Sequence, residues 1–506
     1  MFVRKKPNPS GSVSVQVIDK SSGYRVVKTI GTARDSQDVQ RLVELGKLFI
    51  ARHSGQYALF PVDERDNAAV LDFVQTLRNA SIRTVGPELI FGRLFDELGF
   101  GVIPEPLFRD IVIARLVYPA SKLKTADYLL RYRGKSVSVQ SIYRFLDRLN
   151  EHYSQQAQEV AYRHSCTILR RIQMVFYDMT SLYFDAEDED DLRKIGFSKD
   201  GKFQHPQIML GLLVGEGGFP VGYDIFEGNT FEGKTLLPVL KGIQQRYGFG
   251  KPVVVADAAM LSHRNLDALE SEQYPFIVAA RMRNDAQSLQ ERILQGCAGL
   301  RDGQCIEMPH EKNRRLIVAH SDKRAAKDAY NRKRGLAKLR KRVGLGQLTK
   351  ENLNNRGYNK FLTLTGKARV EIDESKVEQA ARWDGLKGYL TNTGLPPRAV
   401  IEHYGQLWQV EKAFRISKTD LRIRPMYHRL RRRIEAHVLV AFVAYTLYKE
   451  LERRLRAASI PISPQRAAEL TQTMYEMHFH LPNDPQERRA LLQMDEEQQM
   501  LYNLFT

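Results

Sequence analysis

The chain has 506 residues, which is long for a single folded unit and predicts about two to four domains. Hydrophobic residues make up 43% and charged residues 27% of the sequence, as in ordinary globular proteins. The 77 Lys and Arg residues outnumber the 59 Asp and Glu residues, and the net charge of +18 favours a polyanionic partner. Nucleic acid and an anionic membrane surface both fit that charge.

The sequence shows no sign of membrane insertion or secretion. Its longest apolar run, residues 436–448, is too short to span a bilayer and predicts a core helix. The basic N-terminus is not followed by an apolar segment, so no secretory signal is visible. Cys166, Cys297 and Cys305 are scattered and fit a reducing cytoplasm. We therefore expect a cytoplasmic, nucleoid-associated protein without a membrane partner.

Residues 1–85 are predicted to form a small strand-rich unit. Residues 12–18 and 24–30 alternate apolar and polar side chains around a glycine-containing turn, a pattern typical of a β-hairpin. Residues 39–52 then have helical spacing.

Residues 86–172 have a helical pattern throughout and are the candidate DNA-binding region. Within them, residues 138–149 follow a polar turn, begin with an N-cap-like serine and carry Arg144 and Arg148 on the outer face. This pattern fits the second helix of a helix-turn-helix unit. The alternative is an ordinary amphipathic helix whose basic face is solvated.

Between residues 173 and 280 the pattern changes to strands. The strand candidates are residues 174–184, 206–214, 219–226 and 252–256, and a helix candidate at residues 235–247 precedes the last of them. The order strand, strand, strand, helix, strand is that of the ribonuclease H-like α/β core. We therefore expect this region to form the first part of such a core.

Residues 281–394 are predicted to be a β-rich insertion into that core. Short strand candidates surround a basic segment, residues 323–342, which carries ten Lys or Arg residues against the single acid Asp328. The segment predicts either a solvated helix face or a surface that contacts phosphates. Residues 395–450 are then expected to be the second part of the core, and residues 451–506 a helical C-terminal region.

A glutamate interrupts the apolar pattern of the predicted helix at residues 395–418. Apolar side chains recur there at three- and four-residue steps and predict one buried stripe, and Glu411 stands where that stripe continues. A carboxylate on an apolar face needs compensation of its charge. Glu411 therefore either pairs with Arg415 at the edge of the stripe or is a metal ligand.

Two aspartates lie on the predicted strands. Asp178 is the only charged residue of residues 174–184, where burial and strand propensity disfavour it. Asp257 follows directly on residues 252–256, at the carboxyl end where open α/β sheets bind ligands. Each has an ordinary alternative. Asp178 fits a hydrogen-bonded structural carboxylate, and Asp257 fits a helix N-cap.

Together, these three carboxylates predict a metal site. The first and fourth strands of the core are neighbours in this topology, which brings Asp178 and Asp257 together, and a following helix can deliver Glu411. Converging carboxylates repel one another unless cations lie between them, and hard oxygen ligands select Mg²⁺ or Mn²⁺. Two such ions activate a water or a 3′-hydroxyl at a phosphodiester.

The chain resembles the DDE transposases of bacterial insertion sequences, in the group with a β-rich insertion and a Tyr–Arg–Glu–Lys signature. The resemblance rests on the stretches FYDMTSLYF, DLRKIGFSKDGKFQHPQIMLGLLV, GFPVGYDIFEGNTFEGKTLLPVL, VVVADAAMLS and YGQLWQVEKAFRISK. It extends over about residues 174–444. It implies that Asp178, Asp257 and Glu411 are the catalytic triad that binds two Mg²⁺ or Mn²⁺ ions.

The signature also implies contacts with DNA. Tyr404 and Lys418 occupy its first and last positions, which in the family contact the transposon end. Its arginine is replaced here by Leu407, and the neighbouring Arg415 or Lys412 is a candidate substitute.

Trp408 is a further DNA-binding candidate, because aromatic residues in some relatives stack on a flipped base. Its place on the apolar stripe favours core packing instead. The resemblance also implies double-stranded DNA partners, namely transposon ends and target DNA, and a homodimer in the synaptic complex.

The resulting hypothesis is a transposase that binds transposon ends, cleaves DNA and joins the 3′-hydroxyl end to target DNA. One alternative is a catalytically silent DNA-binding protein derived from such an enzyme. Another is a carboxylate-pair hydrolase, such as a glycosidase. Divalent-metal dependence and steep salt sensitivity of DNA binding distinguish the transposase from the glycosidase.

Overall fold

The computed structural model describes residues 1–21, 23–53, 73–74, 77, 81–198, 201–258, 262–348, 353–354, 356–365, 369–480 and 486–505. These residues form two compact units, Met1–Ser81 with His478–Arg489 and Ile82–Met477 with Ala490–Thr506. The strands are β1 (Phe2–Pro7), β2 (Val13–Asp19), β3 (Arg25–Ala33), β4 (Ile82–Thr84), β5 (Met174–Tyr183), β6 (Gln207–Val214), β7 (Pro220–Glu227), β8 (Val253–Ala256), β9 (Phe276–Ala280), β10 (Cys305–Pro309), β11 (Arg315–His320), β12 (Leu362–Thr365), β13 (Arg369–Ile372), β14 (Leu386–Thr391), β15 (Tyr475–His480) and β16 (Glu487–Leu491).

One α-helix belongs to the first unit and the others to the second, where α2 to α6 follow one another without an intervening strand. They are α1 (Ser36–His53), α2 (Arg93–Glu97), α3 (Pro106–Val117), α4 (Lys122–Arg133), α5 (Val139–Arg148), α6 (Ser154–Leu169), α7 (Leu236–Tyr247), α8 (His263–Ser271), α9 (Gln287–Gly296), α10 (Asp322–Gly344), α11 (Glu374–Ala381), α12 (Pro397–Gly405), α13 (Trp408–Thr419), α14 (Arg431–Ala457), α15 (Pro464–Thr471) and α16 (Glu496–Asn503).

The smaller unit contains the β-hairpin that the sequence predicted. Strands β2 and β3 pair antiparallel, and β1 adds a third strand along β2. The basic composition of β1 concealed it, because an exposed edge strand shows little apolar alternation. Helix α1 packs Val39 and Val43 against Val15 of the sheet.

The larger unit is built on an eight-stranded mixed sheet with the order β10-β11-β14-β9-β8-β5-β6-β7. Strands β5, β6 and β7 form an antiparallel meander, whereas β8 runs parallel to β5 and β9 runs parallel to β8. The predicted ribonuclease H-like order is therefore confirmed. Its signal was strong because the central strands are buried on both faces and read as continuous apolar runs.

Part of the predicted insertion continues this sheet rather than forming a separate one. Strands β10, β11 and β14 extend the sheet beyond β9, and all their pairings are antiparallel. Strands β12 and β13 form their own two-stranded sheet, and helix α10 packs Leu336 and Leu339 beside it. The apolar alternation of short strands does not reveal which sheet they join, because pairing is decided by distant partners.

Helix α14 contains the longest apolar run of the sequence and is buried around most of its circumference. Among the described residues, no helix is both long and apolar enough to cross a membrane. The helix instead packs against α3, α5, α6 and α13 and fills the centre of the largest hydrophobic cluster.

Four basic side chains lie buried close together beside α14. They are Arg115, Lys122, His428 and His437. Burial, together with the positive charges of Lys122, Arg115 and Arg433 and against the opposing charge of Asp147, lowers the pKa of His428 to about 3. Burial also lowers the pKa of His437 well below its usual value, so both imidazoles are uncharged at neutral pH.

We predict that His428 makes the fold acid-sensitive. The unfolded imidazole takes up a proton below about pH 6.5, whereas the folded one does so only near pH 3. Above pH 6.5 His428 is neutral in both states and does not change the free energy of unfolding. Below that pH the unfolded state takes up the proton first, so the free energy of unfolding decreases, by about 2 kcal/mol at pH 5. In His428→Asn, the drop in unfolding free energy between pH 7 and pH 5, measured by urea titration, should be smaller by that amount.

The matched control is His152→Asn, because the side chain of His152 is exposed. Its drop between the two pH values should equal that of the wild type. Equal drops in His428→Asn and the wild type would refute this role of His428.

Candidate active site

Asp178 and Asp257 lie on neighbouring strands at the same level of the sheet. In the parallel pairing of β5 with β8, Tyr177 is opposite Ala256, and the two aspartates follow directly. Neighbouring strands are about 4.8 Å apart, so the two backbones hold the aspartates close to each other. The predicted adjacency of the first and fourth strands is therefore present.

Both aspartates are in register with the face of the sheet that helices α12, α13 and α14 cover. Side chains alternate along a strand, and Phe176 and Val255 belong to the hydrophobic cluster on that face. Tyr177 and Ala256 belong to the cluster on the opposite face, which α7 and α8 cover. Asp178 is partly buried and accepts a hydrogen bond from the backbone N–H of Met179 at 2.7 Å.

Asp257 is held by a tyrosine from α12. The Tyr404 hydroxyl donates a hydrogen bond to Asp257 Oδ1 at 3.1 Å. Burial raises the pKa of Tyr404, and the negative charge of Asp257 raises it further, so this hydroxyl stays a donor. The N-cap of α8 is Ser262, whose side chain accepts from Asn265, so Asp257 does not cap that helix.

Tyr404 is itself almost fully enclosed, with 6% of its surface exposed. Its ring packs edge-on against Tyr389 with the centroids 5.1 Å apart. Its hydroxyl contacts Asp257. The DNA contact that the signature implied for Tyr404 stays a prediction.

The single helix predicted over residues 395–418 is two helices. Helix α12 ends at Gly405, α13 begins at Trp408, and tight i to i−3 hydrogen bonds join them. Glycine in a helix interior costs roughly 1 kcal/mol relative to alanine, which favours a break at this position. Leu407, where the signature has an arginine, turns into the core and is 7% exposed.

This break corrects the position predicted for Glu411. The buried stripe passes through Val410 and Phe414, and Glu411 is exposed beside it. Glu411 lies in the first turn of α13, where the helix dipole stabilises a negative charge. Its predicted alternative, an ion pair with Arg415, is absent among the described residues, although both side chains are exposed.

Core packing of Trp408 was the wrong prediction. The break places Trp408 at the start of α13 with 55% of its surface exposed. Lys412 lies over the indole ring with Nζ 5.9 Å from the centroid, and it is paired with Glu452. The indole ring is therefore exposed, three residues before Glu411 on the same helix.

Lys387 is a site residue that sequence analysis missed. It lies on β14 with its Nζ 4.3 Å from the ring centroid of Tyr404. Burial lowers the pKa of Lys387, whereas the negative charges of Asp257 and Glu411 raise it. One ammonium group is thus close to two of the three carboxylates. The available signal was a single charge in an apolar strand, as for Asp178.

The carboxylate oxygens of Asp178, Asp257 and Glu411 are suitable ligands for a divalent cation, but in the described part of the chain they do not converge on one metal position. Carboxylate oxygens are the ligands that Mg²⁺ and Mn²⁺ prefer. The negative charges of Asp257 and Glu411 both raise the pKa values of Tyr404 and Lys387, which lie against each other. Within the described ranges, no three Asp, Glu, His or Cys side chains are arranged to hold a metal ion.

The remaining predicted DNA-binding residues lie on two surfaces. Arg415 is exposed on α13, and Lys418 is partly buried near the end of the same helix. Helix α5 begins after Ser138, whose side chain caps it as predicted. Arg144 on that helix is exposed, whereas Arg148 is bound to Glu105 by two hydrogen bonds of 2.6 and 2.8 Å.

Comparison with known proteins identifies the family. A family model described as the transposase DDE domain matches residues 172–447. No curated protein matches the chain. A piggyBac transposase synaptic complex with hairpin DNA shares 7% identity, with a TM-score of 0.39 over 76% of this chain and 76% of that chain. The Mos1 transposase paired-end complex with the left transposon end shares 12% identity, with a TM-score of 0.16 over 31% of this chain and 53% of that chain.

We predict that the hydroxyl of Tyr404 stabilises the fold through Asp257. Tyr404→Phe keeps the ring contacts with Tyr389 and Lys387 and removes only the donor. We expect an unfolding free energy lower by about 1 kcal/mol in urea titration, because a partly exposed carboxylate loses one hydrogen bond.

A double-mutant cycle tests the pairing. In an Asp257→Asn background the same change should cost clearly less, and Tyr427→Phe, at an exposed tyrosine, should cost nothing. Equal costs of Tyr404→Phe in both backgrounds would contradict the coupling.

Proposed function

The chain belongs to the transposase DDE-domain family, whose model covers more than half of it, and we propose that it moves a bacterial insertion sequence. In this proposal it binds the ends of the element, cleaves the DNA there and joins the freed 3′-hydroxyl to target DNA. The observation that carries the proposal is the pair Asp178 and Asp257 on adjacent parallel strands, facing the helices that bear Glu411.

Asp178, Asp257 and Glu411 are the proposed ligands of two Mg²⁺ or Mn²⁺ ions. The support is the hard oxygen donor set and the shared electrostatic neighbourhood of Asp257 and Glu411. When bound, such ions activate a water or a 3′-hydroxyl and stabilise the leaving oxygen of a phosphodiester.

The protein residues around the carboxylates have separate roles in this proposal. Tyr404 is a positioning residue, because its hydroxyl donates to one oxygen of Asp257 and thereby orients the carboxylate. Lys387 supplies positive charge beside the carboxylates, which lowers their mutual repulsion before metal binds. Trp408, exposed near Glu411, is suited to stack on an unpaired base.

The proposed partners are double-stranded transposon ends and target DNA. The net charge of +18 supports a polyanionic partner. Lys418, Arg415 and Arg144 are the candidate contacts of the DNA backbone. A homodimer that holds two element ends, in the nucleoid of the bacterial cytoplasm, follows from the family resemblance.

We predict that the three carboxylates are each essential for DNA cleavage. Asp178→Asn, Asp257→Asn and Glu411→Gln should each lower excision from a donor plasmid, in which native flanking DNA surrounds the gene, by roughly 1,000-fold. Each should also weaken Mn²⁺ binding in isothermal titration calorimetry, because the variant loses a charged oxygen ligand.

The matched control is Asp188→Asn, which removes one negative charge from the exposed acidic segment after β5. It should excise DNA and bind Mn²⁺ like the wild type. Wild-type excision by Asp178→Asn would refute the mechanism. DNA binding by a wild-type protein that neither cleaves DNA nor binds Mn²⁺ would favour the catalytically silent alternative.

A further inference from the structure

A basic pocket lies beside the sheet in the region that was predicted as an insertion. Its volume is about 230 Å³, and it is lined by Arg283, Lys360, Phe361, Lys376, Gln379, Ala380 and Trp383. The three cations come from three separate segments, namely the turn after β9, the turn before β12 and helix α11. Their convergence on one cavity is therefore a product of the fold rather than of a local charge run.

Two of the pocket cations have no acidic partner within the described part of the chain. Arg283 lies over Trp383, with the guanidinium carbon 5.8 Å from the ring centroid, and Lys360 lies over Phe361 at 5.0 Å. Lys376 differs, because it is 3.6 Å from Asp373 and also donates to the carbonyl of Leu362. The aromatic rings hold the two unpaired cations in place without neutralising them.

Two further acids near the pocket are bound to arginines of α10. Asp384 accepts two hydrogen bonds from Arg332, at 2.5 and 2.6 Å. Asp328 lies 3.7 Å from Arg324. With Lys376 and Asp373 included, five cations stand against three aspartates, so positive charge is in excess around the pocket.

Repulsion among these cations contributes to lowering the pKa values of Lys360 and Arg283. Burial lowers the pKa of Lys360, and the positive charges of Arg283 and Arg332 lower it further. Burial likewise lowers the pKa of Arg283, the negative charges of Asp328 and Asp384 oppose this, and the positive charges of Arg324 and Arg332 add to the lowering. A bound anion relieves this repulsion.

The pocket is connected to the candidate active site through the pairing of β14 with β9. Gly388 on β14 lies opposite Ala280 on β9, so Lys387 is next to the turn that carries Arg283. The ammonium group of Lys387 lies 4.3 Å from the ring centroid of Tyr404, whose hydroxyl donates to Asp257. Arg324 of α10 lies 3.7 Å from Asp328, which accepts from the backbone N–H of Gly385 just before β14. Cations from β14, α10 and the turn after β9 therefore form a row between Asp257 and the pocket.

We propose that this pocket binds the phosphodiester backbone of a DNA strand that extends from the carboxylate site. A chain of regularly spaced phosphates matches a row of separate cations better than a single small anion does. Exposed lysines and arginines of α10 continue the same basic surface. The inference rests on the proposed function, because a DNA-processing site supplies the strand.

The test measures DNA binding without divalent metal, so it does not depend on the carboxylates. Full-length wild type and Arg283→Gln/Lys360→Gln are titrated with a fluorescent duplex by anisotropy over a series of salt concentrations. The plot of log K against log salt concentration has a negative slope, and each lost phosphate contact makes it less steep by about 1. The slope of the double variant should therefore be less steep than that of the wild type by about 2. Lys360→Gln alone should change the slope by about 1.

Two variants control for charge and folding. Arg283→Lys/Lys360→Arg keeps the charge and should bind with nearly the wild-type slope. Arg163→Gln/Lys241→Gln removes two charges from exposed positions on α6 and α7, each paired with a glutamate, and should leave the slope unchanged. Melting temperatures of all variants establish that they are folded.

A wild-type slope in both Lys360→Gln and the folded double variant would overturn the proposal. A loss of equal size in the Arg163 and Lys241 control would also overturn it, because the effect would then be one of net charge. Neither result bears on the carboxylate mechanism, because DNA binding is measured without metal. Conversely, carboxylate variants that still cleave DNA would refute the proposed mechanism without changing the conclusion about the pocket.

Discussion

The parallel pairing of β5 with β8 is the constraint on which the candidate site depends. It sets Asp178 and Asp257 side by side, and strand alternation turns both toward the same helical layer. A slip of one residue would move one aspartate into the opposite hydrophobic cluster, which contains Tyr177 and Ala256. Because both faces of the sheet are buried, such a slip is strongly disfavoured. The hydrophobic core therefore fixes the spacing of two like charges.

Holding carboxylates together costs free energy, and the surrounding residues reduce that cost in different ways. Tyr404 donates to Asp257, and its ring is enclosed by Tyr389 and Lys387. Lys387 adds a positive charge near the carboxylates. Burial lowers the pKa of Lys387, and the negative charges of Asp257 and Glu411 raise it, so these carboxylates favour the charged ammonium group. The N-terminal turn of α13 favours the charge of Glu411. These groups place a hydrogen-bond donor, a positive charge and a helix N-terminus next to the acids.

Sequence reasoning succeeded where local pattern and topology agree. Asp178 and Asp257 stood out because a charge in or directly after an apolar strand is rare, and the strand order made these strands neighbours. Glu411 was selected for a wrong reason, since its assumed burial ignored the break after Gly405 that also exposes Trp408. Lys387 was missed because its place beside the carboxylates depends on β14 pairing with β9 across more than a hundred intervening residues. No helical or strand periodicity encodes that pairing.

The same pairing explains why a long basic insertion lies next to an acidic site. Strand β14 returns the chain to the sheet edge at β9, and β11 and β10 continue outward, so the segments between them are anchored beside the carboxylates. Helix α10 contributes Arg324 and Arg332 to this neighbourhood, and the turn after β9 contributes Arg283. The pairing of β14 with β9 places Lys387 of the insertion against Tyr404, the donor to Asp257, which makes β14 a structural link between the acids and the basic surface.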